Sequence, residues 1–198
     1  MRRRITKGRV LLFAFLVCGP ALAQTDAAKV AAQLRDSNCK ACHGETGDSP
    51  SDVLPRLNGQ GADYLRGRLE SFRYPIRESP RMIHDMGHLS PQLSSKVGAE
   101  LAKYYAMQTP PRWSGETNKQ GAAIYRTGAK NVPACRTCHG ERGEGRGAVP
   151  RLAGQHKAYL QMQLQGFGMA TRIADPMNHH AWTMTSEQRE AIAAYLGN

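Results

Sequence analysis

Cys39-Lys40-Ala41-Cys42-His43 decides how this 198-residue chain is read, together with its second copy, Cys135-Arg136-Thr137-Cys138-His139. C-x-x-C-H is the attachment signature of c-type haem. The chemistry demands that order. Two thiols reach the two vinyl groups on one edge of a porphyrin and form thioethers. The imidazole that follows then lies under the ring on a short helical turn, with one nitrogen free for iron. Other readings of paired cysteines fit less well. A zinc ribbon separates its pairs by about 15–20 residues, whereas 92 residues lie between Cys42 and Cys135. Short-range disulfides or redox-active dithiols leave both histidines without a role, and the chain shows no βαβ pattern. The motifs therefore assign Cys39, Cys42, Cys135 and Cys138 to two covalently bound haem c groups, and His43 and His139 to the two irons.

Residues 1–23 read as a secretory signal peptide. Arg2, Arg3, Arg4, Lys7 and Arg9 form a basic start, Val10 to Cys18 a short apolar run, and Ala21-Leu22-Ala23 an A-x-A cleavage site. The mature chain is expected to begin at Gln24, in the periplasm. Arg2-Arg3-Arg4-Ile5-Thr6-Lys7 is only a weak match to a twin-arginine signal, and Val17 is a poor residue to precede a lipoprotein Cys18. The leader's five basic residues take the net charge from +11 to +6. Charge alone then gives no case for nucleic acid, and no Arg-rich helix with interleaved aromatics adds one. No second apolar run is long enough for a transmembrane span. All four remaining cysteines lie in the haem motifs, so none is left for a structural disulfide.

The mature part is an internal duplication. Cys39 matches Cys135 at an offset of 96, and Gly44-Glu45 matches Gly140-Glu141. At an offset of 95, Pro55-Arg56-Leu57 matches Pro150-Arg151-Leu152, and Gly59-Gln60 matches Gly154-Gln155. Tyr64-Leu65, Leu69 and Phe72 recur as Tyr159-Leu160, Leu164 and Phe167. Two copies of so long a unit indicate two small domains, 24–110 and 111–198, joined through a linker from Met107 to Thr117 around Pro110-Pro111.

Each copy reads as helical. Helices over Asp26–Ser37 and about Glu116–Thr127 are expected to lead into the motifs. Tyr64, Leu65, Arg68, Leu69 and Phe72 share one helical face, as do Tyr159, Leu160, Leu164 and Phe167. Ser90-Pro91 looks like an N-cap with proline at the first helical position, ahead of a stripe of Leu93, Val97, Leu101, Tyr104 and Tyr105. Thr185 to Gln188 has capping-box spacing, and Ile192, Tyr195 and Leu196 follow. No alternating strand pattern is present, so the fold class is all-α.

A sixth iron ligand must come from farther along each copy. Met82 and Met177 are 95 apart, and each stands seven residues before the apolar residue opening the last helix, Leu89 or Met184. Met86 fails this test because its partner position is Ala181. Met162, Met169 and Met184 read as core fillers. His84, His88, His179 and His180 hold no matched positions, and the histidines outside the motifs are read as surface or haem-edge residues. Met82 and Met177 are the expected axial ligands.

These residues carry a resemblance to the two-haem cytochromes c of the cytochrome c4 type. The run P-x-L-x-G-Q…Y-L…L..F stands at Pro55–Phe72 and again at Pro150–Phe167, and the later Met with its following helix stands at Met82 and Met177. The likeness covers nearly the whole mature chain. It implies two class I cytochrome c folds in tandem, related by pseudo-twofold symmetry, with haem propionates near the domain interface. It also implies that the Pro55 and Pro150 carbonyls accept the second N–H of His43 and His139. The pattern departs from the family in its histidine-rich stretches and in Met184, where leucine is usual. The expected function is a periplasmic electron carrier that meets redox partner proteins. The resemblance implies delivery from a quinol-oxidising complex to a terminal oxidase or reductase. The alternatives are a two-haem peroxidase, with His84, Glu78, His179 or His180 offered as acid–base groups, and the electron-accepting subunit of a dehydrogenase.

Overall fold

The computed structural model describes residues 26–73, 86–115 and 118–198. The leader, Met82, His84, Glu78 and Glu116 lie outside the described residues. Helix α1 (Asp26–Leu34) runs through a π-helical turn, Arg35–Cys39, straight into α2 (Lys40–His43), so the first motif is the end of a continuous helical rod. Helix α3 (Ala62–Ser71) follows, then a 3-10 helix, Gly87–Gln92, and α4 (Ser95–Ala106). The second half repeats the plan with α5 (Lys119–Thr127), α6 (Arg136–His139), α7 (Lys157–Gly168), α8 (Met177–Thr183) and α9 (Ser186–Leu196). Among the described residues the only β-type pairings are isolated bridges. The all-α reading stands.

Each half closes by packing its first helix on its last, α1 on α4 and α5 on α9. Leu34, Leu93, Val97 and Leu101 fill the first core, and Ile124, Tyr125, Leu164, Ile192, Tyr195 and Leu196 the second. The second crossing is so close that a Cβ on Gly121 would collide with the Ala191 carbonyl, which is the reason for glycine inside α5 despite its helix cost. The motif turns α2 and α6 both end at a glycine with positive φ, Gly44 at 79° and Gly140 at 87°. That geometry stops the helix directly after each histidine.

The capping box at Thr185 is present as expected. Gln188 N donates to Thr185 Oγ1 and the Gln188 side chain returns to the Thr185 N–H. The cap expected at Ser90 is corrected. Ser90-Pro91 falls within the 3-10 helix, and α4 starts four residues later with Ser94, whose hydroxyl accepts from Val97 N at 3.3 Å. A proline tolerates a short 3-10 turn because its missing N–H is not needed there. Within the segment read as a linker, the prolines and Trp113 pack against the two halves. Pro110 lies against Gly59, Pro111 against Gly154, and Trp113 Nε1 donates to the Tyr195 carbonyl at 2.8 Å.

The two halves meet through a reciprocal clasp. Gln155 accepts from Arg56 N at 2.9 Å and donates to Arg56 O at 3.0 Å. Gln60 does the same to Arg151, at 2.7 and 2.9 Å. Residues matched in the repeat thus exchange identical contacts, which is the signature of the pseudo-twofold axis. The periphery breaks the symmetry. His156, aligned with Gly61, is buried there and donates Nε2–H to the Ser49 carbonyl at 2.9 Å, and Tyr159 N donates to Asp52 O at 3.0 Å. His156 therefore corrects the surface or haem-edge reading given to the histidines outside the motifs.

Candidate haem sites

The motif helices α2 and α6 turn His43 and His139 inward, and both rings are buried. His43 Nδ1 lies 2.9 Å from Pro55 O, and His139 Nδ1 lies 3.0 Å from Pro150 O. A carbonyl can only accept, so each Nδ1 carries the proton and each Nε2 keeps a free lone pair. The contact fixes ring orientation and strengthens the donor nitrogen, as outer partners of metal-bound histidines do. Burial holds both imidazoles below their ordinary value, against the opposing pull of the proline carbonyls. Neutral imidazole is the form that binds a metal.

No disulfide joins the four motif cysteines. Burial pushes the Cys135 thiol up to about 11 and also raises Cys39. Redox-active cysteines carry the opposite shift, which neither Cys39 nor Cys135 shows.

All four cysteines and both histidines border one continuous cavity of about 1320 Å³ that crosses the domain junction. Its walls are mainly aliphatic and aromatic: Leu65, Leu69, Phe72 and Leu101 in one half, and Leu160, Leu164, Phe167 and Ile192 in the other. Arg56, Gln60, Arg151 and Gln155 border it where the halves meet. Carbonyl-anchored imidazoles, two cysteines beside each of them and an apolar hollow form a donor set that fits haem c.

Met177 borders the same cavity as His139, at the start of α8. Asn178 holds that start in place. Its Oδ1 accepts from Ala174 N at 2.6 Å, and its Nδ2 donates to Arg172 O at 2.6 Å and Phe167 O at 2.9 Å. The sequence offered no signal for this role, since the matched residue in the first copy is Ile83. In the first half, Met86 borders the cavity and packs on the leucine core, and His88 stands exposed at the cavity rim. Met184 is buried as expected of a filler, and Met162 lines the cavity. Met169 is a correction: it is 64 % exposed at the C-terminal cap of α7, on the border of the cavity, and fills no core. Arg68, read as part of the α3 face, also borders the cavity, with its guanidinium 5.5 Å from the centre of the Phe72 ring.

The cytochrome c family profile matches residues 118–198. Cytochrome c4 of Pseudomonas aeruginosa is 34% identical over 196 residues, covering 94% of this chain and 94% of the relative. The thiosulfate dehydrogenase electron acceptor of Stutzerimonas stutzeri is 35% identical over 168 residues, covering 81% of this chain and 78% of the relative. The solved structure of cytochrome c4 from Acidithiobacillus ferrooxidans superposes with a TM-score of 0.73 at 36% identity, covering 80% of this chain and 96% of that one. Likeness of this degree runs through both halves and both haem motifs, and on it the chain belongs to the cytochrome c4 family, electron-transfer proteins with covalently bound haem c.

Proposed function

We propose that this protein is a periplasmic carrier with two haem c groups, one in each of the domains 24–110 and 111–198. The observation that carries the proposal is the duplicated anchor, His43 to Pro55 and His139 to Pro150, beside paired thiols on one shared apolar cavity. Cys39 and Cys42 hold one haem and Cys135 and Cys138 the other. His43 with Met82 would hold one iron and His139 with Met177 the other. When bound, haem supplies one-electron ferric–ferrous chemistry. The chain orients each imidazole, excludes water with aliphatic walls and offers a soft thioether that favours the reduced state. A cavity continuous across the junction supports electron exchange between the halves. No described helix is long and apolar enough to cross a membrane. The carrier takes electrons from a quinol-oxidising complex to a terminal oxidase or reductase, and the leader is removed after Ala23.

Mass spectrometry of the exported protein is expected to give a chain starting at Gln24 plus two haems. One haem, or four thiols open to alkylation, contradicts the proposal. The reduced protein is expected not to take up carbon monoxide, since a peroxidase-like centre needs an open coordination position and these pairs leave none. The likeness to a thiosulfate dehydrogenase electron acceptor supports a second reading, a carrier bound to one dehydrogenase. Stable co-purification with such an enzyme would favour it over a free shuttle.

A further inference from the structure

One half-buried histidine beside the second haem site has no part in the proposed carrier function. His180 lies one helical turn beyond Met177 on α8, and both border the cavity that also holds His139. The outward face of the same helix carries His179 and Trp182, which is 72 % exposed. Three residues along a helix is a displacement of roughly 4.5 Å and a return to nearly the same side. The Nδ1 of His180 is buried and has no hydrogen-bond partner among the described residues. An aliphatic residue would line an apolar cavity without that penalty. The carbonyls around the α8 start are committed elsewhere, those of Phe167 and Arg172 to Asn178. The repeat offers no parallel: the first-copy residue matched to His180 is Asp85.

We propose that His180 is a reserve axial ligand for the C-terminal iron, taking the position of Met177 when the thioether is lost. This rests on the reading of Met177 as the resident ligand. The exchange balances simply. An iron–sulfur bond breaks, an iron–nitrogen bond forms, and one neutral lone-pair donor replaces another with no proton or electron moved. Imidazole is an established haem ligand, whereas a thioether is the ligand open to loss by oxidation to the sulfoxide. The first copy carries Asp85 at the position matched to His180, so this exchange is proposed for the C-terminal haem.

The test compares M177A with M177A/H180L in the exported two-haem protein, by ferric electron paramagnetic resonance and by carbon monoxide uptake after reduction. In M177A the C-terminal haem is expected to lose its share of the far-red sulfur-to-iron band, to stay low-spin with a bis-histidine signal, and to take up no carbon monoxide. In M177A/H180L the same haem is expected to turn high-spin and bind carbon monoxide. M177L, which keeps the side-chain bulk, carries the same comparison should M177A lose its haem. If the single variant is already as high-spin and as reactive as the double, the reserve-ligand proposal is overturned while Met177 stays the ligand. If M177A keeps the whole far-red band, Met177 was never the ligand and both readings fall. H180L alone is expected to keep the band intact.

Discussion

Replacing Gln155 by leucine tests whether the two domains are held by the reciprocal clasp. The substitution preserves side-chain bulk and removes both hydrogen bonds to Arg56, at 2.9 and 3.0 Å. It also removes the acceptor of the His156 N–H, at 3.0 Å. Gln155 is 6% exposed, so water has little access to the abandoned groups. Each buried backbone group left without a partner costs about 1–3 kcal/mol. Three such groups, two on Arg56 and the His156 N–H, amount to about 3–9 kcal/mol, less the roughly 1.5–3 kcal/mol that a buried leucine returns. Mid-range values leave a net loss of about 4 kcal/mol, a large share of a typical domain stability of about 5–15 kcal/mol. Urea unfolding of the haem-loaded protein, followed at the haem bands and at the tryptophan fluorescence, measures it. The wild type is expected to give coincident transitions and the variant separated ones, because uncoupled domains unfold independently. Gln60→Leu is expected to cost about as much, since its contacts to Arg151 mirror those of Gln155. A change below about 0.5 kcal/mol, the range of an ordinary surface substitution, with transitions still coincident, refutes the clasp. Unequal costs at the two positions refute its symmetry.

His156 makes interface stability depend on pH. Burial holds its imidazole below the ordinary 6.5, with the Ser49 carbonyl pulling the other way and Arg56, Asp48 and Asp52 as the charged neighbours. The unfolded chain binds the proton more readily, so this contribution is present above about pH 6.5 and lost as pH falls below it. His156→Gln, which keeps a donor without titrating, is expected to flatten the wild-type difference in urea midpoint between about pH 5 and about pH 7.5. An unchanged difference removes His156 from the interface account. The charge balance of the two domains predicts a docking face for an acidic partner. Residues 24–110 carry 11 basic and 10 acidic groups, and residues 111–198 carry 11 and 6. Lys130, Arg136, Arg142 and Arg146 are all exposed around the second motif, and Arg136 is tied to Glu141. Reversing Arg142 and Arg146 is expected to slow electron transfer to an acidic acceptor at low salt more than reversing Arg66 and Lys103, with the difference fading as salt screens the field. A larger effect from the first-domain pair, or none from salt, rules out docking through this face.

What the sequence determined by itself was whatever depends on near neighbours. The motif spacing places two thiols and an imidazole on one turn, and the capping box at Thr185 closes within three residues. The helical faces of α3 and α7 follow from periodicity alone. One long-range result, the pairing of each motif histidine with a proline carbonyl, came from the family resemblance and not from the residues alone, and the structure bears it out. The cap at Ser90 was misplaced because a serine before a proline suits a 3-10 turn as well as an α-helix start. Met169 was misread because a methionine just past a helix end carries no mark of its direction. Gln60 and Gln155 were visible only as repeated letters, since their partners lie 91 and 99 residues away on the other domain. His156 and His180 carry the same chemistry in the sequence. Docking buries one against Ser49 and α8 turns the other toward the haem cavity, and only tertiary structure separates them, because a histidine's role is set by what desolvates it and what it can reach.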